Sequence, residues 1–296
     1  MIAHLVRYGY VPLMILALDG AAAAVGASRV SPVLVAGVVV LGIGVSLGAE
    51  RVLPFQEAWN APIEGDDSRD VVHAVVNELL MVTSVFVIPL LVAVIPWDSP
   101  WPSSVPFLGQ LIIAILIADF GITTVHLVSH RVGWMWRLHA VHHSIRRSYG
   151  LNGLMKHPLH QTLETIGGVA PLLLLGMPVH VAASLAGCVA IQLLMQHSNV
   201  AYRVGPLRLV LALNECHRFH HLKWPGVGDV NFGLFTLLWD RVYGTFSYDL
   251  MRGFTSDDLG IAAQPYYPSD YVGQLLAPFR AGIGVPTVPV PAGAGE

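Results

Sequence analysis

The chain has 296 residues, of which 54% are hydrophobic and only 12% are charged. A soluble globular domain carries about 25% charged residues, so the composition excludes an ordinary water-soluble protein. The formal net charge of -3 provides no basic surface for nucleic acid. The two cysteines, Cys188 and Cys216, provide neither a disulfide framework nor a zinc-binding CxxC pattern.

The first half of the chain contains four apolar segments that approach the ~20 residues a helix needs to cross a bilayer. They run from Tyr10 to Ala27, from Pro32 to Ala49, from Val72 to Ile95 and from Phe107 to Val125. We expect all four to be transmembrane helices. The residues leading into the first segment contain no small-residue cleavage site, so we expect that segment to stay as a membrane anchor.

The distribution of charges around these segments predicts their orientation. The loop from residue 96 to 106 has Asp98 as its single charge and carries Trp97 and Trp101, which is typical of an outer membrane interface. The stretch from Arg131 to Gln161 contains five basic residues and no acidic residue. The positive-inside rule therefore predicts that this stretch is cytoplasmic, and four crossings put the amino terminus on the same side.

A second uncharged block extends from Thr165 to Gln196 and is long for one crossing but short for two. Histidine clusters flank it, so we expect a re-entrant or membrane hairpin that turns near Pro178 and returns to the same face. We expect Asn199 to Tyr267 to form a cytoplasmic helical cap. The predicted architecture is an all-α integral membrane protein with one domain over residues 1–282 and a disordered Pro- and Gly-rich tail over residues 283–296.

Nine of the 14 histidines form three boxes and a single residue. The boxes are HLVSH with His126 and His130, HAVHH with His139, His142 and His143, and HRFHH with His217, His220 and His221, and the single residue is His197. Spacings of three and four place the side chains of each box on one face of a helix. The three boxes therefore predict three histidine-lined helical faces.

Metal binding is the interpretation that this pattern favours. One membrane histidine alone is as readily explained as a helix cap or a satisfied polar group, but eight imidazoles stacked on single faces would repel one another on protonation. Neutral imidazole is a ligand for iron, zinc and copper, and nine ligands are too many for one ion. No carboxylate lies inside a box, which differs from the Glu-x-x-His cage of soluble di-iron bundles, so we expect two ions held by histidine.

Several motifs carry a resemblance to a known family. HAVHH follows HLVSH after eight residues and HRFHH follows after a further 73, and the chain also contains LHAVHHS, HSN at residues 197–199 and NFGLFTLLWDRVYGT at residues 231–245. With Asp119 ahead of the first box, this pattern resembles the fatty acid hydroxylase and sterol desaturase superfamily of membrane non-haem di-iron enzymes. The resemblance extends from Asp119 to Tyr248.

The resemblance implies a cytoplasmic cap over transmembrane helices and two iron ions that use O2 to oxidise a C–H bond of a lipid. Hydroxylation is favoured and desaturation is the alternative, while the identity of the lipid and the oligomeric state stay open. The chain has no Walker, flavin or NAD motif, so electrons are expected from an external reductase, ferredoxin or cytochrome. A histidine-rich metal transporter or sensor is the alternative of another class, although the boxes cluster at one face of the membrane.

The second ring nitrogen of each ligand needs a hydrogen-bond partner that fixes its tautomer. The acidic candidates for this role are Asp119, Glu164, Glu215, Asp229 and Asp240, and Asn199 and Asn231 are candidates for holding loops or a metal-bound water. Asp119 is the strongest candidate for this role, because it lies two helical turns before His126 on the same face. For Asp229 and Asp240, a surface cap or salt bridge is the alternative. His157 and His160 flank Pro158, and whether either joins the metal site stays open.

Overall fold

The computed structural model describes residues 1–31, 33–92, 99–249 and 252–280. All regular elements within these ranges are helical, and the only extended pairings there are two isolated bridges, Pro54 with Val200 and Leu211 with Thr236. The prediction of an all-α protein is confirmed. The predicted tail over residues 283–296 lies outside the described residues.

The helices, numbered in chain order, are α1 (Ile2–Ala27), α2 (Val33–Val52), α3 (Asp66–Val92), α4 (Phe107–Ser129), α5 (Gly133–His143), α6 (Pro158–Leu174), α7 (Val179–His197), α8 (Asn214–His220), α9 (Leu238–Tyr243) and α10 (Tyr271–Leu276). The middle of α1, Leu13–Asp19, is wound as a π-helix. Short 3-10 turns at Glu57–Asn60, Gly150–Leu154, Gly205–Leu209, Ser256–Asp258 and Ala277–Phe279 lie between the later helices and at the end of α10.

Four helices in the described part of the chain are long and apolar enough to cross a bilayer, namely α1, α2, α4 and α7. Their mean hydropathy lies between 1.6 and 2.2. The third predicted segment, Val72 to Ile95, overlaps α3, which begins earlier, at Asp66, and is described as far as Val92. Within the described residues, α3 is not among these four helices, whereas α7 is. The chain is therefore an integral membrane protein.

The loop before α4 differs in part from its predicted environment. Trp97 and Asp98 lie outside the described residues, but Trp101 is buried and its indole N–H donates to Gln110 Oε1 at 2.7 Å. The tryptophan therefore packs inside the protein rather than at an interface.

The second apolar block forms the hairpin that was predicted. Helix α6 ends at Leu174, and α7 begins at Val179 directly after Pro178. Gly176 lies in the turn with φ +79, a left-handed conformation that a residue without Cβ adopts at little cost. Both ends of the hairpin therefore lie on the same side, where His160 and His197 face the other histidine-bearing helices.

Helix α7 is the central element of the fold. It packs against α1, α2, α3 and α4 and against the turn at Gly150–Leu154, and 83% of its most apolar window is buried. The turn approaches α7 so closely that a Cβ at Gly153 would collide with the backbone of Leu193. This packing fixes the position of His197 at the end of α7.

Helices α4 and α6 form the most extensive helix pair. They meet at small residues. The approach is so close that a Cβ at Gly121 would collide with the backbone of Gly167 and Gly168. Small residues allow such close backbone approach between membrane helices. The crossing lies about one turn before His126 and sets where the first histidine box projects.

We therefore expect Gly121→Ala to lower the thermal unfolding midpoint of the purified protein in detergent by several degrees. The physical reason is overpacking, which costs about 1–3 kcal/mol when the obstructing atoms are backbone. Gly44→Ala in α2 is the matched control, because nothing lies within 4 Å of a Cβ built there. Equal midpoints for the two variants would contradict the close crossing.

Candidate metal centre

The structure brings all nine histidines of the predicted site together in two buried groups. The five-histidine group contains His126, His130, His139, His143 and His220, and the four-histidine group contains His142, His197, His217 and His221. Within each group the candidate ligand nitrogens all lie within 4.8 Å of one another. The groups are adjacent, with ring centroids of His143 and His221 4.8 Å apart.

The division into two groups follows helical periodicity. Residues four apart lie on the same side of a helix turn, and each such pair serves one group. The pairs are His126 with His130, His139 with His143, and His217 with His221. In each longer box, the middle histidine belongs to the group that the outer pair does not serve. His142 belongs to the four-histidine group, and His220 belongs to the five-histidine group. Helices α5 and α8 therefore each contribute to both groups, and this ties the groups together.

The Nε2 atoms within each group face one another. In the five-histidine group, His220 Nε2 lies 2.9 Å from both His126 Nε2 and His143 Nε2, and His130 Nε2 lies 3.1 Å from His143 Nε2. In the four-histidine group the neighbouring Nε2 atoms are 3.0 to 3.2 Å apart.

Backbone carbonyls identify the protonated nitrogen of several rings. Nδ1 of His126 donates to Phe232 O at 2.9 Å, and Nδ1 of His220 donates to Val230 O at 2.9 Å. A carbonyl oxygen only accepts, so in a neutral ring Nδ1 carries the hydrogen and Nε2 carries a bare lone pair. The 2.9 Å contact between these two Nε2 atoms is therefore not a hydrogen bond.

The four-histidine group also contains two Nε2 lone pairs that face each other. Nδ1 of His142 donates to Met155 O at 2.9 Å and Nδ1 of His197 donates to Leu193 O at 3.1 Å, yet their Nε2 atoms are 3.2 Å apart. Protonation does not relieve the conflict, because burial lowers the pKa of His142 and His220 well below its usual value. Facing lone pairs in both groups therefore require a cation between them.

The separations fit metal coordination by imidazole. Two nitrogen ligands about 2.1 Å from one ion and at right angles to each other are about 3.0 Å apart. Burial also lowers the pKa of His139, His143, His217 and His221, so neutral ligands are available at neutral pH. The donor set in each group is nitrogen only, and nine ligands in two groups fit two ions.

Asp229 is the acidic candidate that contacts a histidine of the site. Its Oδ1 accepts a hydrogen bond from His130 Nδ1 at 2.8 Å, and its Oδ2 accepts from the backbone N–H of Gly226 at 2.9 Å. The contact with His130 lowers the pKa of Asp229, although its burial acts in the opposite direction. The carboxylate therefore orients His130 with its lone pair toward the five-histidine group.

Asp119 and Asp240 hold a loop rather than a histidine. Asp119 accepts from the backbone N–H of Phe235 at 2.7 Å and from the Thr236 hydroxyl at 2.7 Å. Asp240 accepts from the backbone N–H groups of Phe232 at 2.7 Å and Gly233 at 2.9 Å. The loop supplies the carbonyl of Phe232 that orients His126, so the two carboxylates act on the site through the backbone.

The two asparagines also hold backbone. Asn231 has a positive φ of 54, and its side-chain amide donates to Cys216 O and Ser247 O while its carbonyl oxygen accepts from Ser247 N–H. Asn199 bonds both backbone groups of Gln56 and the Asn60 side chain. Neither asparagine contacts a histidine of the two groups, and Glu215 instead lies beside Arg208.

His157 and His160 lie outside both groups. His157 caps α6 by accepting from Leu159 N–H, and its Nε2 donates to Leu275 O. The His160 ring lies 4.4 Å from the His139 ring, between centroids, and its Nε2 bonds the Ser129 hydroxyl. His160 therefore packs against His139 but does not direct a nitrogen toward the five-histidine group.

Sequence reasoning missed the backbone carbonyls that orient the histidines, because no side-chain pattern reveals them. It also missed Lys156 as a buried partner of Glu164. A signal for this ion pair was present, since Glu164 is an isolated acid at the start of an apolar block and Lys156 is eight residues before it.

Comparisons with known proteins agree with this geometry. The family model described as fatty acid hydroxylase matches residues 111–245. Ornithine lipid hydroxylase OlsE of Rhizobium tropici is 29% identical over 239 residues, which cover 78% of this chain and 71% of that protein. Alkylglycerol monooxygenase of Homo sapiens is 32% identical over 152 residues, covering 51% of this chain but only 32% of that protein.

A more distant match is very-long-chain aldehyde decarbonylase GL1-9 of Oryza sativa subsp. indica, with 25% identity over 147 residues, 48% of this chain and 57% of that protein. No solved structure matches the chain. Together with these relatives, the all-helical membrane fold and the two histidine groups define the class as a membrane oxidoreductase. These matches confirm the resemblance to the fatty acid hydroxylase superfamily that the histidine boxes indicate.

We expect the purified protein to contain two metal ions per chain and His220→Ala to contain about one. His220 contributes the Nε2 that contacts both His126 and His143, so its loss opens the five-histidine group. Inductively coupled plasma mass spectrometry of desalted protein measures the ratio. His157→Ala is the matched control and should keep both ions, and a similar metal content in the two variants would contradict the assignment.

Proposed function

We propose that the protein is a membrane monooxygenase that hydroxylates a C–H bond of a lipid at two histidine-held iron ions. The reaction would consume one O2, two electrons and two protons and yield the hydroxylated lipid and water. The observation that carries this proposal is the pair of buried nitrogen-only groups, in which facing Nε2 lone pairs call for cations. The names of the relatives, which act on lipids, support the substrate class.

Iron is the metal that suits this chemistry. An unactivated C–H bond resists acid and base groups alone, and iron with O2 and external electrons supplies the strong oxidant that such a bond requires. Neutral imidazole binds iron well, and the described part of the chain offers no cysteine thiol to either group. The protein's contribution is to hold nine imidazoles in fixed orientation and to keep their surroundings dry.

An apolar cavity leads to the histidines and supports a lipid substrate. It lies between α3, α4, α6 and α7. Ala182 and Leu193 line it at positions about 16 Å apart along α7. Its walls include Ala118, Val169 and Val189. An acyl or alkyl chain has the length and polarity that this cavity accepts.

A smaller cavity beside the metal ligands adjoins this one. The two cavities share Ile122, Leu193 and Leu234, and the smaller one is also lined by His126 and His142. A hydrocarbon chain in the larger cavity would thus reach the boundary between the two histidine groups. The apolar walls exclude water from this boundary and keep the reacting carbon close to the ligands.

Lys156 and Glu164 form a buried ion pair at the junction of the two cavities. A buried charged pair is costly unless its polar atoms are satisfied, so its position beside the ligands is informative. We propose that it contacts the polar end of the lipid and so limits which carbon reaches the histidines.

We also propose that the histidine site, the cap and the amino terminus lie on the cytoplasmic side, as the basic stretch from Arg131 to Gln161 favours. Soluble electron donors operate in that compartment, and the chain carries no nucleotide or flavin motif of its own. The electrons would come from an external reductase, ferredoxin or cytochrome.

The direct test is lipid mass spectrometry of cells that express the protein under ¹⁸O2. We expect a lipid that gains one labelled oxygen with the wild type and shows at least a hundredfold less product with His142→Ala. His157→Ala is the control and should keep the product. Loss of two hydrogens without oxygen would assign desaturation instead, and altered metal uptake with no lipid change would assign a transporter or sensor.

The substrate cavity has its own test in Val189→Phe, which fills the apolar space without touching a histidine. We expect product formation to fall at least tenfold while both metal ions are retained, because the lipid chain and the new ring compete for one volume. Leu116→Phe on the exposed face of α4 is the control for added bulk in the membrane region. Unchanged activity of Val189→Phe would remove this cavity from the lipid path.

A further inference from the structure

A second large cleft lies between α1 and the segment that follows α7. It has about 2470 Å³ of empty volume. One wall is apolar and comes from α1, with Val11, Ile15 and Leu16. Leu16 is 76% exposed, so this wall is continuous with the hydrocarbon around the transmembrane helix. The apolar wall of the cleft therefore opens to the lipid phase.

The cleft is also cationic. Among the described residues, five arginines line it against two acidic residues, Glu215 and Asp249. The arginines are Arg7, Arg203, Arg208, Arg218 and Arg252. Arg208 lies 3.9 Å from Glu215, and Arg252 lies 3.3 Å from Asp258. The cleft thus combines an apolar wall with an excess of guanidinium groups.

Arg218 is the unusual member of this set. It is 6% exposed, its Nε is buried without a hydrogen-bond partner, and within the described residues no carboxylate lies within ion-pair distance. Its guanidinium stacks 3.7 Å from the centre of the Phe55 ring. A guanidinium keeps its charge at neutral pH. A buried charge without a paired anion is expensive, and its presence indicates a ligand.

We infer that this cleft binds an anionic phospholipid, with the phosphate on Arg218 and the neighbouring arginines and an acyl chain along Val11, Ile15 and Leu16. Guanidinium is planar and matches phosphate with two parallel hydrogen bonds, and basic pockets beside transmembrane helices suit anionic head groups. The aromatic ring of Phe55 holds the guanidinium plane in place. A free phosphate would use the same arginines but would leave the apolar wall uncovered.

The bound lipid would also affect the metal centre. Arg218 follows His217 directly and precedes His220 by two residues on α8. A phosphate on Arg218 would fix this short helix, which contributes ligands to both histidine groups. The lipid site is distinct from the substrate cavity, because the two share no lining residue.

The test is native mass spectrometry of the full chain with phosphatidylglycerol, phosphatidylcholine or inorganic phosphate. We expect wild type to retain phosphatidylglycerol about tenfold better than phosphatidylcholine, and Arg218→Gln to lose that preference, since a charge-assisted hydrogen bond is removed. Arg146→Gln is the matched control, because Arg146 is exposed, pairs with Glu64 and lies outside the cleft. Equal retention of both lipids by wild type would overturn the inference.

A second variant covers the case in which Arg218→Gln does not fold. Arg203 is exposed in the same cleft, and Arg203→Gln should weaken phosphatidylglycerol retention several-fold with the metal content unchanged. Unchanged retention in Arg203→Gln, together with unchanged retention in any folded Arg218→Gln, would contradict the site. Inorganic phosphate that binds as tightly as the lipid would reassign the cleft to free phosphate. None of these results depends on oxidation activity, so the lipid site and the proposed function can fail separately.

Discussion

The structure depends on nine neutral imidazoles whose lone pairs converge in two groups. Carbonyls of Phe232, Val230 and Met155 hold the outer nitrogens of His126, His220 and His142, so their Nε2 atoms face other Nε2 atoms at 2.9 to 3.2 Å. Such an arrangement is repulsive without a cation. Metal binding and folding are therefore linked, because the ligands come from four separate parts of the chain.

The backbone that orients the ligands is held by carboxylates at a distance from them. Asp240 accepts from Phe232 and Gly233, and Asp119 accepts from Phe235 and Thr236, so one short loop is fixed at both ends. The sequence places Asp119 two turns before His126 and predicts a direct contact. The structure instead inserts a loop more than a hundred residues away, and local helical spacing carries no information about such a partner.

Other features could be predicted because they follow from local periodicity. Box spacing indicates eight of the nine histidines that converge, and His197 is indicated by its place at the end of the second apolar block. The flanking boxes require the hairpin at Pro178 to return to one face. The division into five and four depends on how α5 and α8 cross, which spacing within one helix does not determine. The structure also holds two spaces that share no lining residue: an apolar cavity beside the ligands, and a cleft that contains Arg218 next to His217. Among the described residues, no carboxylate lies within ion-pair distance of Arg218, and its Nε is buried without a hydrogen-bond partner.

X-ray absorption at the iron edge of the iron-loaded protein tests the central claim most directly. The two histidine groups predict a spectrum with nitrogen as the main neighbour, the multiple scattering of imidazole rings, and between four and five imidazoles per iron on average. A spectrum dominated by sulfur or carboxylate oxygen, or one with two imidazoles or fewer per iron, would contradict it.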